Sequence, residues 1–276
     1  MFDSPADVTT RLAATGYLAD TATATSVYLA AALGKPLLAE GPAGVGKTQL
    51  AKAVAEATGA RLIRLQCYEG LDEARALYEW NYRKQLLRIQ AEGTDEDIFG
   101  EEFLLERPLL KAIRSAEPTV LLIDETDKAD IEVEGLLLEL LSDYQVTIPE
   151  LGTITAVRRP QVILTSNATR ELSEALKRRC LYLHLTYPTP EREREILLSQ
   201  VPTLRADLAD RLAATVAALR ALELKKAPSV AETVDWARTL LALGRADLDE
   251  QTVAQTLGVV LKHASDHTRA AKELGL

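Results

Sequence analysis

Four short stretches carry residue types and spacings suited to chemistry on a phosphate. The first is GPAGVGKT, made of Gly41, Pro42, Ala43, Gly44, Val45, Gly46, Lys47 and Thr48. It satisfies G-x-x-x-x-G-K-[ST], a pattern that average residue usage would place in a chain of this length roughly once in a hundred cases. Its glycines let successive backbone N–H groups wrap phosphate oxygens, and a helix starting there adds the positive end of its dipole. Lys47 has the reach for the β- and γ-phosphates, and the Thr48 hydroxyl suits Mg²⁺. A plain strand-to-helix turn would also use the glycines, but it has no use for Lys followed by Thr.

The second stretch, TVLLIDET, ends an apolar run in Asp124-Glu125, about 75 residues after the loop. An acidic pair closing a strand is common by itself. Behind a phosphate loop, Asp124 can hold Mg²⁺ and Glu125 can polarise an attacking water as general base. The third, QVILTSN, ends in Asn167, whose amide could orient that water or could serve a turn. The fourth, ELSEALKRRC, sets Arg178 and Arg179 at the end of a short helix. They offer favourable charge at a helix C-terminus, or an arginine that reaches a neighbouring subunit's nucleotide, which requires a ring.

These residues need elements to position them. Five apolar runs, 37–39, 61–67, 119–124, 161–166 and 181–185, alternate with helical stretches. Strands interleaved with helices predict an α/β fold with a parallel sheet whose ligands lie at the strands' C-terminal edge. In the flanks of the loop, Leu37–Ala39 reads as a buried strand, and Leu50, Val54 and Ala57 recur at helical spacing before Gly59. TYPTP at 186–190 ends the alternation, and helices are expected at 190–200, 204–223, 229–243 and 249–264. The chain is therefore divided into an α/β core, 1–187, and an all-helical unit, 188–276. It contains no internal repeat and no low-complexity tract.

Composition narrows the function classes. The 276 residues are 47% hydrophobic and 26% charged, ordinary globular proportions. Cys67 and Cys180 have neither a disulfide framework nor metal-ligand spacing, the N-terminus lacks a basic leader, and TATATSVYLAAAL is too short to span a bilayer. A cytoplasmic location and no membrane span are expected. The net charge of −9 offers no general attraction to a nucleic-acid backbone. Its excess lies mostly before residue 191, and seven acids without a base fall in 92–106. That stretch reads as a solvated loop or a docking surface for a basic partner.

In this order, GPAGVGKT, LLIDE, ILTSN and the EALKRRC arginines resemble the AAA+ ATPases. The insertion at 70–110 and the hairpin-like YQVTIPELGTITAV resemble the helix-two insert and pre-sensor hairpin of the MoxR branch. QCYEGLDEARALYEWNYRKQLL and LLELLSDYQVTIPELG are similar to the CoxD-type members, which assist maturation of molybdenum–copper carbon monoxide dehydrogenase and related enzymes. The resemblance covers essentially the whole chain. It implies ATP and Mg²⁺ as cofactors, with residues 41–48 and Gln49 around the nucleotide and Thr48 and Asp124 on the metal. Glu125 becomes the base, Asn167 the first sensor, and Arg179, with Arg178 second, the arginine finger. Tyr17 and Leu18 fall where the family's N-terminal linker contacts adenine, though ordinary helix packing suits them too. A hexameric homo-oligomeric ring, a von Willebrand factor A-domain co-chaperone and a metalloenzyme client polypeptide are implied, and no nucleic acid. One departure stands out: KKAPSVAETVDW has Ser229 and Val230 where many MoxR proteins carry a sensor arginine, with Lys225 and Lys226 nearby as substitutes.

The rival reading is an AAA+ motor or loader on nucleic acid. It calls for a basic hairpin, and only Arg158 and Arg159 flank this one. A scaffold that binds nucleotide without hydrolysing it is opposed by Glu125 and the two arginines together. Trp80 and Tyr82 in the insertion serve packing or grip a client. Val146, Ile148, Ile154 and Ala156 share one side of a period-two pattern, which predicts a hairpin with one buried face. His263 and His267, four apart on an expected helix, lack a third metal ligand and read as an exposed polar face.

Overall fold

The computed structural model describes residues 2–92, 98–245 and 247–274. In chain order the strands are β1 (Leu37–Glu40), β2 (Arg61–Gln66), β3 (Tyr78–Trp80), β4 (Leu104–Glu106), β5 (Thr119–Asp124), β6 (Gln145–Ile148), β7 (Gly152–Thr155), β8 (Gln161–Ser166) and β9 (Leu181–His184). The helices are α1 (Pro5–Ala14), α2 (Thr21–Leu33), α3 (Lys47–Thr58), α4 (Glu73–Ala76), α5 (Tyr82–Glu92), α6 (Pro108–Ile113), α7 (Ile131–Asp143), α8 (Glu174–Lys177), α9 (Pro190–Gln200), α10 (Ala206–Ala221), α11 (Val230–Ala242), α12 (Glu250–Thr256) and α13 (Ala264–Leu274). Two compact units emerge: Met1–Thr15, Ala19–Gly41 and Thr48–His184 form one, and Gly16–Leu18, Pro42–Lys47 and Leu185–Leu276 the other.

The first unit is built on one five-stranded sheet in the order β2-β5-β8-β1-β9, with every pairing parallel. An α/β fold with a five-stranded parallel sheet, as the alternating runs require, is what forms. All six residues of β5 are buried, the pattern of a strand covered on both faces. One core joins Leu121 and Ile123 of β5 to Leu109, Leu110 and Ile113 of α6 and to Leu137 and Leu140 of α7. The β6–β7 hairpin buries Val146 and Ile148, half-buries Ile154 and Ala156, and exposes Thr147 and Thr153 on its other face. That is the amphipathic hairpin expected from the period-two pattern.

In the insertion, β3 pairs antiparallel with β4. Residues 93–97 of the acidic stretch lie outside the described residues. Of the remainder, Glu102 pairs with Lys84 at 3.2 Å, and Arg114 binds Glu101 at 2.7 Å and Glu106 at 3.2 Å. Part of that acidity is therefore matched within the chain.

The second unit packs α9 to α13 around Trp236, fully buried, whose indole N–H donates to Thr256 Oγ1 at 2.7 Å. The helix expected over 249–264 is instead broken: α12 stops at Thr256, a 3₁₀ turn spans Leu257–Val259, and α13 begins at Ala264. Gly258 and the β-branched pair Val259-Val260 weaken helix there, while burial of Leu257, Val260 and Leu261 holds the tighter path.

Candidate nucleotide site

The first unit gathers the acidic pair at the C-terminal edge of its sheet. Asp124, last residue of β5, is 1% exposed. Its Oδ1 accepts from Thr48 Oγ1 at 2.9 Å and from Thr165 Oγ1 at 2.6 Å. Its Oδ2 takes Arg64 through Nε at 3.0 Å and Nη2 at 2.5 Å. Glu125 leaves the strand in the left-handed region (φ 57°, ψ 48°), a conformation that is costly for a residue with a Cβ. Its N–H donates to Thr165 Oγ1 at 2.8 Å, so a single threonine hydroxyl fixes both acids. Glu125 Oε2 accepts from Gln66 Nε2 at 2.9 Å and Lys128 Nζ at 2.7 Å, and the latter bond pushes the Lys128 ammonium pKa up.

Beside them, the Cys67 thiol is pushed up to about 12, first by burial and then by the charges of Asp124, Asp127 and Glu125. Asp127, also buried, accepts from Thr169 N at 3.1 Å, Thr169 Oγ1 at 2.5 Å and Asn167 N at 3.2 Å. Burial raises its carboxyl, and these bonds outweigh burial and leave it below the ordinary carboxylate value. Asp127 thus pins the backbone that carries Asn167. The Asn167 side-chain amide makes no bond among the described residues and is half-buried. A threonine hydroxyl beside a carboxylate is the hard-oxygen pair that suits Mg²⁺, which takes one or two carboxylates and keeps its waters.

In the second unit the loop Pro42–Lys47 lies with Gly16–Leu18 and the helices. Lys47 is 6% exposed, and its ammonium donates to Pro42 O at 2.7 Å. Tyr187 Oη donates to Ala43 O at 3.0 Å, and the Val230 N–H donates to Gly44 O at 3.1 Å. Gly44 (φ +80°) lies so close to Ser229 that a Cβ there would collide with the serine side chain. At Gly46 (φ +98°) a Cβ would lie 3.6 Å from Tyr17 Cε2. Gln200 Nε2 holds Gly16 O at 2.8 Å and so fixes the turn before Tyr17.

Residues 36–180 match the family profile described as AAA domain (dynein-related subfamily). The chain belongs to this AAA family. Over 162 residues it is 33% identical to uncharacterized proteins of Staphylococcus aureus strains bovine RF122 / ET3-1 and USA300, across 56% of this chain and 57% of each relative. The chain thus matches little more than half the length of those relatives. Among solved structures, one point mutant of Thermotoga maritima RuvB aligns at TM-score 0.53 and 16% identity, covering 100% of this chain and 84% of that one. A second RuvB variant from the same organism aligns at 0.52 and 16%, over 92% and 68%. At such identity the likeness concerns the fold: an AAA+ P-loop fold followed by a helical region. AAA domains in general bind and hydrolyse nucleotide, and proteins that carry them commonly assemble as rings. No helix among the described residues is long and apolar enough to cross a membrane.

The remaining expected site residues of this AAA domain are distributed as follows. Gln49 is exposed in the first turn of α3, and Tyr17 and Leu18 are half-buried. Arg179 donates through Nε to Ser142 Oγ and through Nη1 to Ala175 O at 2.9 Å. Arg178 is exposed and makes no side-chain bond among the described residues. Lys226 Nζ is held by Glu232 at 3.0 Å, while Lys225 is exposed. Trp80 is buried edge-on to Tyr78 and Phe99, whereas Tyr82 is 62% exposed. His263 precedes α13 rather than sharing it, His267 bonds Leu261 O at 3.0 Å, and no cluster of three or more metal-ligating side chains occurs among the described residues.

Sequence reasoning missed Arg64, Gln66, Thr165 and Tyr187. Only Thr165 carried a local signal, a polar residue near the end of the otherwise apolar β8, where a buried hydroxyl needs a polar partner.

Proposed function

We propose that this chain binds ATP with Mg²⁺, hydrolyses it, and acts as a ring-forming remodelling chaperone of the MoxR type. The ATPase reading is carried by the meeting of the Thr48 hydroxyl with Asp124 Oδ1 at 2.9 Å, at the first turn of the helix that follows the loop. The loop N–H groups of residues 43–48 and the Lys47 ammonium hold the phosphates. Thr48 and Asp124 hold the Mg²⁺, whose charge offsets that of the phosphate oxygens. Glu125, kept in place by Gln66 and Lys128, takes the proton of the attacking water, and Asn167 orients that water. Arg179, or Arg178 beside it, stabilises transferring phosphate on a neighbouring subunit of a hexameric ring. Tyr17 and Leu18 flank the adenine.

The chaperone reading is supported by the resemblance of the insertion and hairpin to MoxR proteins. It is also supported by Tyr82, Leu86 and Leu87, exposed at 62%, 60% and 58% on α5, which offer apolar surface to a polypeptide. A metalloenzyme of the molybdenum–copper carbon monoxide dehydrogenase class is the client that the CoxD-like stretches favour, with an A-domain co-chaperone, in the cytoplasm. One Thermotoga maritima RuvB structure is described as a Holliday junction branch migration motor. In this chain, Gln145–Ala156 contains no Lys or Arg, which disfavours a nucleic-acid motor. The deciding experiment compares ATP turnover with an unfolded metalloenzyme subunit and with DNA. Stimulation by the polypeptide alone is expected, and stimulation by DNA alone overturns the chaperone reading.

A further inference from the structure

We infer that Arg220 is the positioning residue through which the helical unit sets the shape of the phosphate loop, by holding the two donors that grip the loop's outer carbonyls. The inference rests on the reading of that loop as the ATP-phosphate site.

Arg220 of α10 is almost wholly buried, its side chain 8% exposed and that of its partner Glu193 1%. Its Nη2 binds Glu193 Oε1 at 2.9 Å, and Nη1 binds the other carboxylate oxygen. Nε donates to Pro228 O at 2.8 Å, and the guanidinium lies 4.4 Å from the centroid of the Tyr187 ring. A buried ion pair gives little net stability compared with an apolar pair of the same volume, so what it fixes in place matters more than its strength. Here one rigid planar fork fixes two neighbours. The Pro228 carbonyl immediately precedes Ser229-Val230, and the Tyr187 ring carries the hydroxyl that reaches the loop.

Both neighbours end on the loop. Tyr187 Oη donates to Ala43 O at 3.0 Å, and the Val230 N–H donates to Gly44 O at 3.1 Å. Val230 is the first residue of α11, so its N–H has no partner inside the helix and is available for this bond. The Ala43 carbonyl shares a peptide group with the Gly44 N–H, and the Gly44 carbonyl shares one with the Val45 N–H. A donor placed on a carbonyl polarises its peptide group and strengthens the N–H on the opposite side. The two grips therefore orient and strengthen consecutive loop donors to phosphate.

Three variants of the full chain test this by calorimetry with ADP and a non-hydrolysable ATP analogue. Tyr187→Phe keeps the ring under Arg220 and removes only the hydroxyl. Val230→Pro removes the N–H at a helix position that tolerates proline, after a Ser229 already extended at φ −81°, ψ 162°. Arg220→Lys keeps the charge for Glu193 but loses the fork. Each is expected to weaken both nucleotides alike, by roughly three- to tenfold, the scale of one hydrogen bond. The melting temperature of the nucleotide-free Tyr187→Phe and Val230→Pro chains should stay at the wild-type value. Wild-type affinity in Tyr187→Phe and Val230→Pro overturns the inference, as does wild-type affinity in Arg220→Lys or a loss confined to the ATP analogue. If the wild-type chain binds neither nucleotide, the site reading fails first.

Discussion

Thr48 and Asp124, 76 positions apart, are joined by a 2.9 Å hydrogen bond from the threonine hydroxyl to the carboxylate. This bond ties the first turn of the helix after the phosphate loop to the buried end of β5. Asp124 keeps Thr165 and Arg64 when Thr48 is removed. Thr48→Ala should therefore cost about 1 kcal/mol of stability, the net worth of one hydrogen bond, in urea unfolding. Its Mg²⁺-dependent ATP binding should fall much further. Equal loss of nucleotide affinity with and without Mg²⁺ would remove Thr48 from the metal.

Lys47→Ala should abolish stable ATP binding, because the loop loses its one positive side chain. Unchanged ATP affinity in calorimetry would end the phosphate-loop reading. The Lys47 ammonium is already inside the loop, on the Pro42 carbonyl at 2.7 Å, so no rearrangement of the fold has to bring it there.

Much of this was legible in the sequence, and for a local reason. The loop, Asp124-Glu125 and Asn167 are recognisable because each closes a contiguous apolar run, and the helix or turn that follows is encoded beside it. Arg64 and Gln66 were not legible as site residues. Their contacts depend on β2 pairing with β5 in the register Gln66 to Asp124, a non-local choice that local periodicity does not report. The extent of α13 beyond 264 escaped because its inward side is Asp266 and Ala270 at four-residue spacing, too small and too polar to stand out as an apolar stripe. Asp266 is nevertheless structural. Its carboxylate accepts from the N–H groups of Lys225 and Lys226 at 3.1 Å and 3.3 Å.

The two cysteines make a pH-dependent prediction. Burial raises both thiols to about 12, at Cys67 with help from nearby carboxylates and at Cys180 against the charge of Arg179. The folded state therefore binds protons more tightly than the unfolded one. The stability this contributes is whole below the ordinary thiol pKa of about 8.5 and is lost as pH climbs towards 12. At pH 8, an alkylating reagent should modify neither thiol in the folded chain and both after denaturation, as read by mass spectrometry. Rapid labelling of folded Cys67 would contradict the burial argument.

Glu193 and Arg220 form the other stability test. Arg220→Met leaves a buried carboxylate without its cation and should cost about 3–5 kcal/mol in urea unfolding. Replacing both residues by methionine should cost less than that single change. If the double variant is the less stable of the two, the pair itself supplies net stability.

A ring makes catalysis a property of two chains. If Arg179 acts on the neighbouring subunit, turnover per chain should rise with protein concentration. Mixing Arg179→Ala with Glu125→Gln should then restore part of the activity that each lacks. The Arg179 side chain is already bonded to Ser142 and Ala175, while the Arg178 side chain makes no bond among the described residues, so the same mixture with Arg178→Ala decides between them. No recovery in either mixture would place hydrolysis within a single chain.

The most direct test of the account measures ATP affinity and phosphate release together in Glu125→Gln. Glu125 occupies a left-handed position at the end of β5 and is held by Gln66 and Lys128, and glutamine preserves its shape while removing its basicity. The variant should bind ATP as the wild type does and hydrolyse it slower by a factor on the order of 10² or more. Wild-type turnover in Glu125→Gln would contradict the account, because another group would then be activating the water.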